Sequence, residues 1–361
     1  ILCSVSYSAV INIPEDYPTI QEGIYAAVDG DSVLVSEGTY VENITWAATN
    51  GIKLIGSGVE NCFIDGGGID SHASVIQFEE DLDGIIDTTT LITGFTIQNG
   101  GANGGANGGA IYIYNSSPNI NNLIIQNNAA GANGGAIYIY NSSPNFNNLI
   151  IQNNAAFNMG GGIYIDGGSQ TFTNCKIYNN EIGDTNGGGM YCKNSENLYI
   201  DNCEFMYNHS PKNGGGIYLN NSQVEIKNTK IIENNEGIGG NNPMPTPKGG
   251  GIYVASSEIY LYNNVISSNN SYGAGGGIYG FDSVFEFYNT EICNNTSLNY
   301  WQNAEGGGGC FYNSTVFFNQ VTLSGNIANS LQQYNSDGLS FKGSTIVHIY
   351  NSIIYDNDDA E

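Results

Sequence analysis

The side chains able to do chemistry in this chain are its carboxylates, three histidines, seven cysteines and a large stock of tyrosine, against a complete absence of arginine. The eight cationic residues are all lysine: Lys53, Lys176, Lys193, Lys212, Lys227, Lys230, Lys248 and Lys342. Two carboxylates flanking a glycosidic bond can hydrolyse it unaided, so that chemistry stays open, whereas any site built on a guanidinium is excluded. His72, His209 and His348 lie far apart, none beside an evident nucleophile. Close-set oxygen ligands occur in "EEDLDG" (Glu79 to Gly84) and "DGGGID" (Asp65 to Asp70), but neither has the spacing of a calcium-binding EF-hand loop. They read as solvated acidic loops, so no cofactor is expected, with calcium as the alternative.

Aromatic side chains can bind a ligand only if something lines them up, and the sequence contains that device. "NGGAIYIYNSSPNFNNLIIQNN" (residues 133–154) nearly copies "NGGAIYIYNSSPNINNLIIQNN" (residues 107–128). The apolar residue after the glycines recurs as Ile111, Ile137, Ile163, Met190, Ile217, Ile252, Ile278 and Cys310, at steps of 26, 26, 27, 27, 35, 26 and 32. Repeats of about 20–50 residues signal a stacked array in which each unit buries its apolar face against the next. One residue further on come Tyr112, Tyr138, Tyr164, Tyr191, Tyr218, Tyr253, Tyr279 and Phe311, which alternation turns outward as an aromatic stripe. Tyrosine also favours strands and packs on its own copies, so the stripe reads either as structure or as a platform for an extended glycan or another chain. Tyr262, Tyr288 and Tyr350 form a shorter outward set.

A second marker is a pair of asparagines six residues apart. The first members are Asn122, Asn148, Asn174, Asn202, Asn228, Asn263, Asn289, Gln320 and Asn351, and the second run from Asn128 and Asn154 to Asn357. The first set is expected to form a structural ladder at a bend, with inward amides satisfying backbone that would otherwise be buried unpaired. The residues two before and three after it are apolar throughout, for example Ile226 and Ile231. Cys175 and Cys203 directly follow ladder asparagines on successive turns. In-register stacking suits a disulfide poorly, so they read as buried thiols rather than a bridge. The odd cysteine count and the lack of CxxC spacing agree.

A chain of 361 residues with 50 glycines suits one elongated domain, and a net charge of −26 excludes nucleic acid and anionic membrane as partners. No segment approaches the about 20 apolar residues of a membrane span. Residues 1–9, "ILCSVSYSA", read as the remnant of a secretion signal, which implies an extracellular or cell-surface protein. Residues 10–100 read as an N-terminal cap and first coils. Thr19 and Glu22 form a capping box opening a short helix through Ile20, Ile24 and Ala27, followed by strands at Val33 to Val35 and Ile52 to Ile55. Residues 101–361 read as regular coils, with "NSIIYDN" (Asn351 to Asn357) a further repeat that the natural protein is expected to continue as part of a longer surface protein.

The capped opening resembles that of pectin-lyase-like right-handed parallel β-helices. The strings "GGAI" (Gly108 to Ile111, Gly134 to Ile137) and "FMYN" (Phe205 to Asn208) are similar to the GGA-I and F-x-x-N repeats of polymorphic outer-membrane proteins. The resemblance implies an all-β right-handed parallel β-helix, in a group that includes pectin-degrading enzymes, adhesins and passive stalks. Its lyases and methylesterases rely on arginine, which this chain lacks, and the "NTD", "GDD", "GHG" and "RIK" strings of polygalacturonases are missing. The expectation is therefore a binding or adhesion module for a glycan or cell-surface partner, with a polysaccharide-active enzyme as the alternative. The repeats differ in length mainly at Glu236 to Lys248, Thr296 to Glu305 and Ile327 to Asp337, loops expected on one edge of the coil. They supply Tyr300, Trp301 and Tyr334, which with Tyr253 and Tyr279 make up the candidate binding residues.

Overall fold

The structure is a computed structural model and describes residues 8–68, 74–78, 85–102, 105–236, 247–299, 304–330 and 337–357. The chain winds into a parallel β-solenoid of about 10 turns. Among the described residues the turns build sheets of 22, 11 and 9 strands, and every strand pairs in parallel with its copy in the next coil. One turn shows the plan. Ile217–Asn220 lies in the 11-stranded sheet and Asn221 makes a corner. Gln223–Lys227 and Lys230–Ile232 form the two halves of the long sheet around Asn228, and Asn235–Glu236 enters the short sheet. A glycine run then returns the chain to the 11-stranded sheet.

Alternation along these strands sends Ile217, Leu219, Val224, Ile226 and Ile231 inward, all fully buried. Their copies above and below form one continuous apolar core from Ile11 to Leu323. The helix α1 (Ile20–Ala26) closes the N-terminal coil, burying Ile20 and Ile24. Thr19 caps it, its hydroxyl accepting from the Glu22 N–H at 3.2 Å, and the Glu42 carboxylate accepts from the Ile20 and Gln21 N–H groups at 3.0 Å each. The expected strands are present as Ser32–Val35 and Lys53–Gly56.

The asparagine columns divide their labour differently from the sequence expectation. The first set (Asn122, Asn148, Asn174, Asn202, Asn228, Asn263, Asn289, Gln320, Asn351) is exposed, with φ between 47° and 57°. Asparagine tolerates this left-handed geometry better than most residues, so these residues make the bend and point outward. Their amides bond one another only in part: Asn202 donates to Asn174 at 2.7 Å, but Asn228 donates to Asp201. The inward amides belong to the second set, and Asn154 through Asn326 are completely buried. Asn234 is representative: its Nδ2 donates to Asn269 Oδ1 at 3.0 Å and to the Phe205 carbonyl at 2.9 Å. Its Oδ1 accepts from the backbone and side chain of Asn208 at 3.1 and 3.0 Å. Glycines make room for this column, since a Cβ on Gly216 would lie 3.1 Å from Asn234 Cγ and 2.6 Å from the Gly251 oxygen.

Cys175 and Cys203 are buried, unbridged neighbours, with the Cys175 N–H 3.4 Å from Cys203 Sγ.

Candidate functional site

The tyrosine stripe exists, but its rings face one another. From Tyr112 to Tyr279 consecutive rings stack at centroid separations of 4.7–5.4 Å and interplanar angles of 1–13°. Tyr164, Tyr191 and Tyr279 are only 5–6% exposed. Burial raises the hydroxyl pKa of Tyr138, Tyr164, Tyr191, Tyr218 and Tyr279, the last to about 12, so these phenols stay protonated. A platform for a sugar needs free ring faces, and here each interior face is covered by the next ring. The column is a packing device over most of its length.

It ends at Tyr279, where the sequence expectation placed Phe311 next. The register instead pairs Ile278 with Gly309, Tyr279 with Cys310 and Gly280 with Phe311. The cause is a run of four glycines, Gly306 to Gly309, where the five preceding turns have three. Gly306 (φ 58°) matches Gly249 (74°) and Gly275 (68°), so the fourth glycine, not Cys310, takes the inward anchor position. Phe311 turns inward, fully buried, into the space left by Gly280, packing edge-on against Phe285 at 4.9 Å.

With Cys310 in the column, a cleft of about 470 Å³ opens, lined by Lys248, Tyr253, Ala274, Tyr279, Phe281, Glu305, Cys310, Tyr312 and Lys342. Two of the candidate binding residues, Tyr253 and Tyr279, are thus brought together. Tyr300, Trp301 and Tyr334 lie outside the described residues. The strands entering their loops, Thr296–Asn299 and Ile327–Ser330, pair in register, so both loops leave the same sheet at the same point of the turn. In the cleft, Lys248 Nζ donates to the Tyr279 hydroxyl at 3.1 Å and lies 4.5 Å from the ring centroid, while Lys342 ion-pairs with Glu305. Burial, reinforced by Glu305, pushes the Cys310 thiol up to about 11, so it is no nucleophile at neutral pH.

A second concavity, one the sequence reading did not single out, lies at the corner between the 11-stranded and long sheets. The corner column runs through Asn194 and Asn221, joined at 2.9 Å, and shortens to a hydroxymethyl group at Ser256. The resulting open groove of about 510 Å³ is lined by Asn221, Ser222, Gln223, Ser256, Ser257, Glu258, Asp282 and Val284, all polar but the last. Ser222 and Ser257 are spent on a buried ladder, the Ser222 N–H donating to Ser257 Oγ at 3.0 Å. The groove brings Glu258 and Asp282 together from successive turns.

His209 lies in the short sheet, and His348 stacks on Phe317 in the long sheet at 4.7 Å, so the two form no pair. Residues 79–84, 69–70 and His72 lie outside the described residues. Asp65 accepts from Gln98 and Asn99 side chains at 3.1 and 2.7 Å. Among the described residues no group of three His, Cys, Asp or Glu side chains is placed to hold a metal ion, and no helix is long and apolar enough to cross a membrane.

Residues 109–275 match the family model of the right handed beta helix region, which fixes the hand of the coil. Among solved structures, the chain is similar to the A-module of the Azotobacter vinelandii mannuronan C-5 epimerase AlgE6, at 12% identity over 91% of this chain and 93% of that one (TM-score 0.41). It is also similar to the pectate lyase Pel9A, at 16% identity over 92% and 80% (0.43). A third is the Yersinia enterocolitica family 28 exopolygalacturonase, at 11% over 98% and 80% (0.34). These neighbours carry the pectin-lyase-like β-helix, and at such identities and scores nothing about activity follows. No curated protein matches the chain.

Proposed function

We propose that this protein is a secreted or cell-surface β-helix that binds a glycan without cleaving it, using the polar groove at Ser256. The observation that carries the reading is the groove's lining: hydroxyl, amide and carboxylate groups on a rigid sheet corner, the complement of a polyhydroxylated ligand. The lack of arginine supports a binding role over lyase or esterase chemistry. A glycan array probed with the pure chain tests it, with Glu258→Gln and Gln223→Ala expected to weaken the hits without lowering the melting temperature. Unchanged binding in both variants would remove the groove as the site.

One observation favours a second reading, hydrolysis. Glu258 and Asp282 line one groove, and a carboxylate pair is what glycoside hydrolysis requires. The expected result is no product from polygalacturonate or from any array hit, with or without calcium. Reducing ends that appear with the wild type and vanish in Glu258→Gln and Asp282→Asn would make the protein an enzyme.

A further inference from the structure

Two columns of side chains change from neutral to acidic as they cross the groove at Ser256. In the strand column Gln223 is followed, in register, by Glu258, and in the corner column Asn221 is followed by Ser256 and then Asp282. The backbone requires neither acid. Asn221 (φ 47°), Asp282 (φ 46°) and Asn313 (φ 51°) all make the same left-handed corner, and Gln223 holds the strand position that Glu258 takes one coil later. An amide of nearly equal size serves the fold as well as a carboxylate does, so the two negative charges are surplus to it.

Those charges are also unneutralised. Glu258 and Asp282 are exposed, and neither has a lysine within ion-pair distance among the described residues. Lys227, on the same sheet face, is held by Glu225. A third exposed acid, Glu286, stands in register beside Tyr260. The Tyr260 hydroxyl donates to Glu258 at 3.4 Å, and its pKa is raised by burial and then by Glu258 and Glu286, so the fields of both acids reach it. An acidic glycan meets repulsion in such a groove and a neutral one gains only ordinary hydrogen bonds, whereas an ammonium gains a charge-assisted bond to each carboxylate. On the glycan reading of this groove, on which the assignment rests, we propose that it selects a sugar chain carrying free amino groups, a hexosamine polymer whose ammonium groups pair with Glu258 and Asp282.

The test is a calorimetric titration of the intact chain at low salt with a β-1,4-linked glucosamine tetramer and its N-acetylated counterpart, which differ in charge but share a backbone. Exposed ion pairs are individually weak, so the free amine is expected to bind about tenfold more tightly, and 1 M salt should close the gap by screening. Replacing Glu258→Gln and Asp282→Asn together installs the amides of the preceding coil and should also close it, with melting unchanged. Replacing Glu37→Gln and Glu60→Gln, both exposed in the first coils, removes the same charge and should leave the gap intact. Closure in that control would mean diffuse attraction to a chain of net charge −26 and overturn the site. A gap that survives the groove double variant overturns the location. If that variant does not fold, Glu258→Gln alone decides, an unchanged gap being fatal. Equal affinity for the two tetramers, lost in Gln223→Ala, overturns the charge assignment and leaves the glycan groove standing. Failure of the wild type to bind the glucosamine tetramer overturns the proposal, and hits on the glycan array that weaken in Gln223→Ala would still uphold the groove.

Discussion

Two asparagines of one turn, Asn228 and Asn234, show how far identical side chains can differ in what they contribute. Asn234 is fully buried and uses both ends of its amide on the turns above and below. Asn234→Leu strands those partners and should cost about 1–3 kcal/mol. Asn228 is exposed at φ 47°, so Asn228→Leu should cost about 1–2 kcal/mol through left-handed strain. Asn228→Gly removes that strain and should cost only a few tenths. Denaturant midpoints of the three variants check this, and a large loss in Asn228→Gly would show the exposed amide to matter after all. The sequence displays both columns with equal regularity, so it announces a ladder without saying which amide turns inward. The deciding quantity is the sign of φ, which residue type alone does not fix. Cys310 offers a pH test at the same scale. With its thiol raised to about 11, iodoacetamide should leave it unmodified at neutral pH and label it only as the pH nears that value; rapid labelling at neutral pH would contradict the buried, protonated thiol.

Strands and their register account for the cleft, and here the sequence was legible only in part. The capping helix, the coil period, the alternation and the common origin of the Thr296 and Ile327 loops could all be read, because each is a local or periodic property. The slip at Gly306 to Gly309 could not, because three glycines plus Cys310 fit the spacing as well as four glycines do. What decides it is volume: Phe311 needs the room that Gly280 and Gly309 leave. A Cβ on Gly280 would lie 2.5 Å from a Phe285 ring carbon and 2.9 Å from one of Phe311. Gly280→Ala should therefore destabilise by about 1–3 kcal/mol through overpacking. Adding Phe311→Leu should recover part of that loss, giving a favourable coupling in a double-mutant cycle. Additive costs would mean that Phe311 does not share the Gly280 space. The groove at Ser256 and the cleft beside Cys310 were illegible for a related reason: each lies where a column changes to a smaller side chain, and a one-letter code marks a substitution without marking the change of shape it brings.

At the scale of the whole molecule the coil is close to one-dimensional, each turn touching only its neighbours, so stability is a sum of turn and interface contributions. Residues 107–132 make up one complete turn, entering at Asn107 as the next enters at Asn133. Deleting them would set Ile76 beside Ile137, Ile92 beside Phe146 and Gln98 beside Gln152, the same columns that Ile111, Ile120 and Gln126 occupy now. The amide ladder would close as well, because the Gly100 N–H, which now donates to Asn128 Oδ1 at 2.8 Å, would meet Asn154 instead. The shortened chain should therefore melt cooperatively within about 5 °C of the full one. Removing only residues 107–119, about half a turn, would stack the 11-stranded sheet on the long sheet and turn every column out of register, and a single such slip exchanges core and surface faces. That variant should not fold. Circular dichroism melts of the two deletions separate the cases, and equal damage from both would mean that stability resides in particular contacts of the removed turn rather than in the repeat itself.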